Sequence, residues 1–320
     1  MKKKFGFILL GTILAFTGCS QVSTSAPDEN SKEIENLQEE TATVTVVHQL
    51  GETEVKRNPE NVVVFDYGIL DTLDELGVEV AGIAPSNLPT YLTEYTEGNY
   101  ANVGTLFEPD LEKIYELQPE LIVIGQRQAD YYEELSKIAP TVSLAVDSSN
   151  YLESFKTNMT YIGEIFNKEE EMAAHLNTYE EEIQAVAEMA AEKEANALIV
   201  LANDKGISVF GEGSRFGIIH GDFGVTPVDT SIELSTHGQN ATFEYILEQN
   251  PDYIFVIDRA AVAGGETSAS DLIENELVKL TDAYQNDRII YLNPEAWYVA
   301  NGGLQGTKIM IDEMRAALEK

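Results

Sequence analysis

Two stretches of the chain have the same order of apolar and polar positions. They are residues 112–127 and 244–259, with Pro119 of the first matching Pro251 of the second. Each stretch predicts a short helix, a proline that ends it, and an apolar run suited to a buried strand. The repeat therefore predicts two lobes of similar construction.

Short apolar runs alternate with helical segments through the rest of the chain. A polar–apolar alternation over residues 43–56 predicts a β-hairpin, and Asp66 is placed to cap a helix that ends near residue 77. Further strands are predicted at residues 61–65, 80–83, 121–124, 142–146, 197–201, 207–210, 225–228 and 288–292. Helices are predicted at 272–280 and 306–318. This alternation indicates βα units and mostly parallel sheets.

The longest helical segment contains neither glycine nor proline. Between residues 168 and 193, apolar side chains recur at three- and four-residue steps, from Met172 to Ala190. We therefore expect an α/β fold of two similar lobes, each a mostly parallel sheet with flanking helices, joined by one long helix. The predicted boundaries are 43–166 for the first lobe, 167–193 for the connecting helix and 194–320 for the second lobe.

The N-terminus has the features of a secretory signal. Three lysines precede an apolar run over residues 5–16, which is too short to span a membrane. The run ends at Gly18-Cys19 and resembles a bacterial lipobox, in which Cys19 is lipidated. We expect a signal peptide at 1–18, a disordered tether at 19–42, and a protein anchored to the cell membrane on its extracellular face. The alternative is a plain signal peptide with an incidental cysteine.

The charge of the chain narrows the possible ligands. Lys and Arg number 20 against 55 Asp and Glu, a formal net charge of −35, which excludes nucleic acid as a partner. Three of the six arginines, Arg127, Arg215 and Arg259, lie at the ends of predicted elements. Any one of them is more often a surface ion-pair member, but the repeat places Arg127 and Arg259 at equivalent strand ends. Ligands of open α/β sheets bind at that edge, so we predict an anion-binding cleft.

One histidine and one tyrosine are candidate iron ligands. His237 lies in a polar, glycine-containing loop, and Tyr298 directly follows the last predicted strand. Imidazole and phenolate both suit iron, although each residue alone also has an ordinary structural interpretation. The other histidines, His48, His175 and His220, are predicted to be structural or exposed. The sequence contains no nucleophile–base arrangement, so we do not expect an enzyme.

Four stretches together carry a resemblance to a known family: residues 214–220, 235–239, 243–259 and 291–303. Here the chain resembles the substrate-binding lipoproteins of bacterial ABC iron importers, specifically the catecholate-siderophore binders of the petrobactin and enterobactin type. The resemblance covers residues 43–320 and implies a fold of the class III periplasmic-binding-protein type. It departs from the family at residues 293–296, where relatives more often carry Asp and a further aromatic residue.

The resemblance implies a role for each candidate residue. Arg127, Arg215 and Arg259 correspond to the family's ligand-binding arginines. His237 and Tyr298 correspond to its iron ligands, and Glu112 and Glu244 to the glutamates that dock on the permease. The implied partners are a ferric catecholate siderophore, a membrane ABC permease and the membrane itself through Cys19. The implied protein is a monomer without a permanent cofactor, and the ferric siderophore is its transported ligand.

Other functions remain open from the sequence. In the first alternative, the protein has the same fold but binds a different ligand: another iron chelate such as a hydroxamate, haem, or cobalamin. A secreted hydrolase or adhesin on an α/β scaffold is a different class, as is a zinc or manganese importer protein. The clustered arginines argue against a neutral hydroxamate, and a divalent-metal site would need more clustered histidines and carboxylates than the chain offers.

Overall fold

Two sheets flanked by helices and connected by one long helix form the fold, as the sequence predicts. The computed structural model describes residues 42–98, 100–204 and 206–320. The predicted signal peptide, Cys19 and nearly all of the predicted tether lie outside these residues. Over the described ranges, no helix combines the length and apolar character needed to cross a membrane.

The sheet of the first lobe is entirely parallel. Its five strands lie in the order β5-β4-β3-β6-β7. Their bounds, after the hairpin β1 (Thr43–His48) and β2 (Gly51–Lys56), are β3 (Val62–Val64), β4 (Gly82–Ile83), β5 (Ala101–Asn102), β6 (Leu121–Ile124) and β7 (Thr141–Ser143). The helices are α1 (Tyr67–Glu75), α2 (Glu94–Glu97), α3 (Leu111–Leu117), α4 (Tyr132–Leu135) and α5 (Tyr151–Ile165). Strands β3 and β6 are buried along their whole length because helices cover both faces.

The long helix α6 spans Glu169–Glu192 and leads into a mixed sheet. Strands β8, β12 and β13 are parallel, and β10 pairs in parallel with the start of β8. Strand β9 runs antiparallel to both of its neighbours, β8 and β11. The bounds are β8 (Asn196–Asn203), β9 (Gly206–Phe210), β10 (Thr226–Pro227), β11 (Gln239–Ala241), β12 (Tyr253–Asp258) and β13 (Ile289–Leu292). The helices are α7 (Ile218–Gly221), α8 (Phe243–Gln249), α9 (Arg259–Ala263), α10 (Ala269–Ile273), α11 (Asp282–Gln285) and α12 (Leu304–Leu318).

The sequence repeat forms the same unit twice. Helices α3 and α8 each bury one isoleucine completely, Ile114 and Ile246. Each helix ends at a residue in the left-handed conformation, with φ 48° at Gln118 and 43° at Asn250, directly before the matching prolines. The unit then continues into β6 or β12, so the repeat places two equivalent strand ends in the two lobes.

The prediction of one continuous helix over residues 272–280 is wrong. The structure has α10 up to Ile273 and a separate short 3-10 turn at Val278–Leu280. Between them, Asn275 Oδ1 accepts hydrogen bonds from the backbone N–H groups of Leu277 (3.0 Å) and Val278 (3.2 Å). An asparagine side chain that bonds to the next amides competes with helix hydrogen bonds and ends the helix.

The last helix, α12, packs against both α1 of the first lobe and α6. Its N-terminus is capped from α1, where the Asp71 carboxylate accepts from the backbone N–H groups of Gln305 (2.8 Å) and Gly306 (2.7 Å). Gly68 of α1 permits this approach, because a Cβ there would lie 2.7 Å from the carbonyl oxygen of Asn301. The segment before α12 is therefore held against the first lobe.

The burial of Asp71 predicts a specific pH dependence of stability. Burial raises the pKa of Asp71 from 3.8 to about 7, and the two amide hydrogen bonds offset only part of that rise. The folded state therefore binds this proton more tightly, so the stability that Asp71 contributes at low pH is lost as pH rises from 3.8 to about 7. In Asp71→Asn we expect the free energy of unfolding to fall less steeply over this range, by up to about 1.4 kcal/mol per pH unit.

Urea unfolding at several pH values measures this slope. Glu181→Gln removes an exposed carboxyl of α6 and is the matched control, which should keep the wild-type slope. Identical slopes for Asp71→Asn and wild type would contradict the assignment.

Candidate ligand-binding site

Three arginines from both lobes meet at one tyrosine. Arg127 and Arg215 each donate from an Nη2 to the backbone carbonyl of Tyr298, at 3.2 and 2.5 Å. Arg259 donates from Nε to the Tyr298 hydroxyl at 3.0 Å, and the Arg215 guanidinium lies 3.9 Å from the centre of the Tyr298 ring. The structure thus brings together four of the residues that the sequence singled out.

The elements of the two sheets place these side chains. Arg127 follows β6 and Arg259 begins α9 directly after β12, so both come from carboxyl ends of parallel strands. Arg215 lies between β9 and α7. Strand β3 lies beside β6, and Asp66 follows the end of β3. Asp66 caps α1, because its Oδ1 accepts from the N–H groups of Gly68 (2.9 Å) and Ile69 (3.1 Å).

Tyr298 lies on an unusual turn that the apolar pattern does not predict. Residues Glu295–Val299 form a single π-helical turn after β13. The side chain of Asn293 accepts from the first two amides of the turn, at 2.9 and 3.3 Å. Glu313 of α12 accepts from the Asn293 amide at 2.9 Å and from the Trp297 indole N–H at 2.7 Å. These contacts fix the turn, with the buried Trp297 inside and the half-buried Tyr298 facing the arginines.

The arginine cluster lacks carboxylate partners. In a chain with 55 acidic residues, none of the three arginines has a carboxylate oxygen within 4.0 Å among the residues that the structure describes. A guanidinium has five N–H donors. Within that part of the chain, each of the three arginine side chains donates one hydrogen bond, and in each case the acceptor belongs to Tyr298. The cluster therefore has unused donors and positive charge that no ion pair within the described residues neutralises, although the nearby Asp66 carboxyl interacts electrostatically with Arg127. Unused donors and positive charge are what an anion-binding site requires.

The pKa values of the cluster reflect this concentration of charge. Burial, with a further contribution from the charge of Arg127, lowers the pKa of Arg215 to about 10. Burial alone would raise the pKa of the Tyr298 phenol. The hydrogen bond from Arg259 and the charges of the three arginines outweigh it and hold the pKa below 10.0. The site therefore favours the negatively charged form of a phenol.

The other predicted site residues lie outside this cluster. His237 is exposed, its backbone N–H donates to Ser235 Oγ at 3.3 Å, and the structure does not bring its imidazole into contact with Tyr298. Glu112 and Glu244 are exposed in the first turns of α3 and α8. His220 is buried, with Nδ1 2.7 Å from the Val225 carbonyl oxygen, which is a structural arrangement.

A second contact between the lobes was not predicted from sequence. The Glu295 carboxylate accepts from the backbone N–H (2.9 Å) and the hydroxyl (2.7 Å) of Thr90 in the first lobe. Glu295 belongs to residues 293–296, where the chain departs from the family pattern. That departure is the one feature of the sequence that drew attention to Glu295. Together with the hydrogen bond from Arg127, this contact ties the Tyr298 turn to the first lobe.

A cavity of about 530 Å³ is also lined by both lobes, but it contains none of the three arginines. Its walls come from residues 148–151 and from 211–234, including Glu212, Asp222 and Asp229. These carboxylates would repel an anion, whereas the cluster at Tyr298 attracts one. We therefore take the arginine–tyrosine cluster as the candidate binding site.

Gly125, at the end of β6, permits the close packing beside Arg127. A Cβ at this position would lie 2.3 Å from Asp66 Oδ2. We expect Gly125→Ala to displace either the carboxylate or the segment that carries Arg127, with a loss of about 1–3 kcal/mol in the free energy of unfolding and weaker anion binding. Gly221→Ala is the matched control, because its added methyl meets nothing within 4 Å. Thermal unfolding would contradict this account if both variants melted together with wild type.

Comparisons with known proteins agree with this architecture. A family model described as periplasmic binding protein matches residues 62–296. Petrobactin-binding protein YclQ of Bacillus subtilis (strain 168) is 44% identical over 324 residues, which cover 99% of this chain and 100% of that protein. Its crystal structure superposes with a TM-score of 0.85 at 46% identity, over 88% of this chain and 100% of that chain.

Two further relatives match this chain over nearly their whole length. The ferric-anguibactin-binding protein FatB of Vibrio anguillarum is 32% identical over 96% of this chain and 95% of that protein. The crystal structure of the periplasmic catecholate-siderophore binding protein VctP of Vibrio cholerae has a TM-score of 0.83 at 37% identity, over 86% of this chain and 100% of that chain. These relatives are binding proteins, which agrees with the prediction that this chain is not an enzyme. The chain belongs to the periplasmic binding protein family.

Proposed function

We propose that this protein captures a ferric catecholate siderophore between its lobes and delivers it to an ABC permease in the membrane. The observation that carries the proposal is the convergence of Arg127, Arg215 and Arg259 on Tyr298, with no carboxylate of the described residues within ion-pair distance. The proposal is supported by relatives whose names specify petrobactin, ferric anguibactin and catecholate siderophores as their ligands.

The charge of the chelate distinguishes the candidate ligands. A ferric catecholate complex carries several negative charges, whereas a ferric hydroxamate is close to neutral. One arginine–anion unit pair at about 5 Å and an effective dielectric constant of about 20 contributes roughly 3 kcal/mol before desolvation. A neutral chelate would leave three neighbouring guanidinium groups uncompensated, so the site favours the catecholate complex.

Tyr298 and His237 are the proposed iron ligands when the chelate leaves coordination positions open. The lowered pKa of the Tyr298 phenol supports the first assignment, because only the phenolate binds ferric iron. His237 is exposed on its loop, which leaves its imidazole accessible to a chelate. With a chelate that fills every coordination position, both residues would act as hydrogen-bonding groups.

The remaining parts of the proposal concern attachment and delivery. Lipidation at Cys19 would hold the protein on the extracellular face of the membrane, with residues 43–166 and 194–320 as the two lobes. The glutamates Glu112 and Glu244 occupy equivalent exposed positions on the repeated helices, which suits docking on a two-fold permease. No permanent cofactor and no second copy of the chain is needed for this role.

Fluorescence titration of the purified full-length protein tests the proposal. Trp297 is the sole tryptophan and adjoins Tyr298, so its emission should be quenched saturably by a ferric catecholate. A ferric hydroxamate, haem and cyanocobalamin form the comparison panel and should quench only weakly. Preferential binding of any of these three would replace the proposed ligand.

A further inference from the structure

Two aromatic side chains of the first lobe, both close to Glu112 in the sequence, are exposed. Phe107 and Tyr115 are each 69% exposed, the highest values among the large apolar side chains in the described ranges. Phe107 lies in the loop that leads into α3, and Tyr115 lies on α3 itself. A folded protein gains free energy by burying such groups, so two of them exposed at one helix indicate an interaction surface.

The loop that carries Phe107 is well anchored. Thr105 Oγ1 accepts from the backbone N–H groups of Phe107 (3.2 Å) and Glu108 (3.0 Å). Leu106, which directly precedes Phe107, has a buried side chain, and its backbone carbonyl accepts from Gln128 Nε2 at 2.5 Å. Because its neighbours are fixed, Phe107 is held outward by the fold.

The surroundings of the two aromatic rings are acidic. Tyr115 lies three residues after Glu112 and therefore on the same face of α3. Glu108, Glu112 and Glu116 are all exposed, and no Lys or Arg nitrogen of the described chain lies within ion-pair distance of them. Such a surface fits a partner that offers an apolar pocket edged by basic side chains.

The second lobe repeats the acids but not the aromatic residues. On α8, Glu244 and Glu248 correspond to Glu112 and Glu116, while the position of Tyr115 is occupied by Leu247, which is partly buried. Of the described residues, none on α8 is an exposed large apolar side chain. The two repeated helices therefore carry the same pair of glutamates, but only α3 carries a strongly exposed aromatic residue; the exposed Leu234 and Leu280 of the second lobe lie outside α8.

We infer that Phe107 and Tyr115 form an aromatic anchor by which the first lobe docks on the extracellular face of the permease. The inference rests on the proposed function and adds to it a second kind of contact. The glutamates of both lobes supply charge attraction that is nearly symmetric, and the aromatic anchor adds contact energy on one side only. On a permease whose two halves differ, the anchor would select the half that receives the first lobe. On an exactly two-fold permease the two orientations are equivalent, and the anchor adds contact energy wherever the first lobe docks.

Iron uptake by cells tests the anchor. Cells whose own copy of the gene is deleted would carry the full-length chain as wild type, as Phe107→Ser/Tyr115→Ser, or as Val47→Ser. Val47 is 60% exposed on the hairpin and serves as the control for losing an exposed apolar group. The probe is radioiron bound to a tris-catecholate chelator, and binding of the same probe by each purified protein is measured in parallel.

We expect the double variant to bind the ferric chelate and to melt as wild type does, yet to support uptake about tenfold more slowly. Val47→Ser should retain wild-type uptake. Wild-type uptake by the double variant, under conditions in which Glu112→Ala reduces uptake, would overturn the aromatic anchor and leave the docking of the glutamates intact. If purified wild-type protein bound no ferric catecholate, the proposed function would fail and the anchor with it.

Discussion

Ferric catecholate binding is expected to weaken by about 5- to 150-fold when either Arg127 or Arg259 is replaced by alanine, which corresponds to about 1–3 kcal/mol. Each side chain comes from a different lobe and retains N–H donors that Tyr298 does not use. Removing one guanidinium takes away part of the positive charge facing the chelate and leaves a ligand oxygen without its donor. Fluorescence titration of the purified variants measures the loss.

The control for this experiment is an arginine that is already paired. Arg315 on α12 has Glu182 at 3.5 Å and Asp312 at 3.3 Å, so Arg315→Ala changes the net charge equally without touching the cluster. The affinity of the Arg315→Ala variant for the chelate should stay within about twofold of wild type. The loss in Arg127→Ala should also shrink as salt is raised, because mobile ions screen the interaction. Wild-type affinity in both Arg127→Ala and Arg259→Ala would contradict the role assigned to the arginines.

Tyr298→Phe should abolish the tyrosinate-to-iron charge-transfer absorption when the bound chelate leaves coordination positions open. The substitution keeps the aromatic ring beside Arg215 and the backbone carbonyl that accepts from two arginines, and it removes only the hydroxyl. Affinity should fall by about 10- to 100-fold, since one bond to the metal is lost. Absorption spectra of the ferric complexes with wild type and variant give the result.

The same variant should change the pH dependence of binding. Coordination requires the Tyr298 phenol to release its proton, so wild-type affinity should decrease on acidification by up to about tenfold per pH unit more than that of Tyr298→Phe. The arginines lower the pKa of this phenol and so reduce that penalty at neutral pH. Tyr291→Phe, at an exposed tyrosine bonded to Glu274, is the control. After the catecholate-to-iron band of the free chelate is subtracted, a tyrosinate band that survives in Tyr298→Phe would exclude this tyrosine as a ligand.

The parts of the fold that local pattern determines were predicted correctly. The apolar runs specify β6 and β12, and the glycine- and proline-free segment specifies α6. The internal repeat was the most informative feature, because it located two equivalent strand ends and hence Arg127 and Arg259. Within a βα unit, neighbouring positions along the chain determine which residues reach the binding edge of the sheet.

Contacts between the lobes were beyond the reach of sequence pattern. That three guanidinium groups share Tyr298 depends on how a π-helical turn in one lobe meets a strand end in the other, and no periodicity encodes that meeting. No feature of the sequence marks Asp71 of α1, yet α12 buries it. Asp66 was recognised as a helix cap. Its position beside Gly125 follows only from the pairing of β3 with β6.

The most direct test of the account compares two chelates of the same shape and different charge. A tris-catecholate complex of titanium(IV) is one unit less negative than that of iron(III), with nearly the same outline. Wild-type protein should bind the iron complex several-fold more tightly, and the preference should shrink in Arg127→Ala and in Arg259→Ala. Equal affinity of wild type for the two complexes would contradict the claim that guanidinium charge from both lobes binds the ligand.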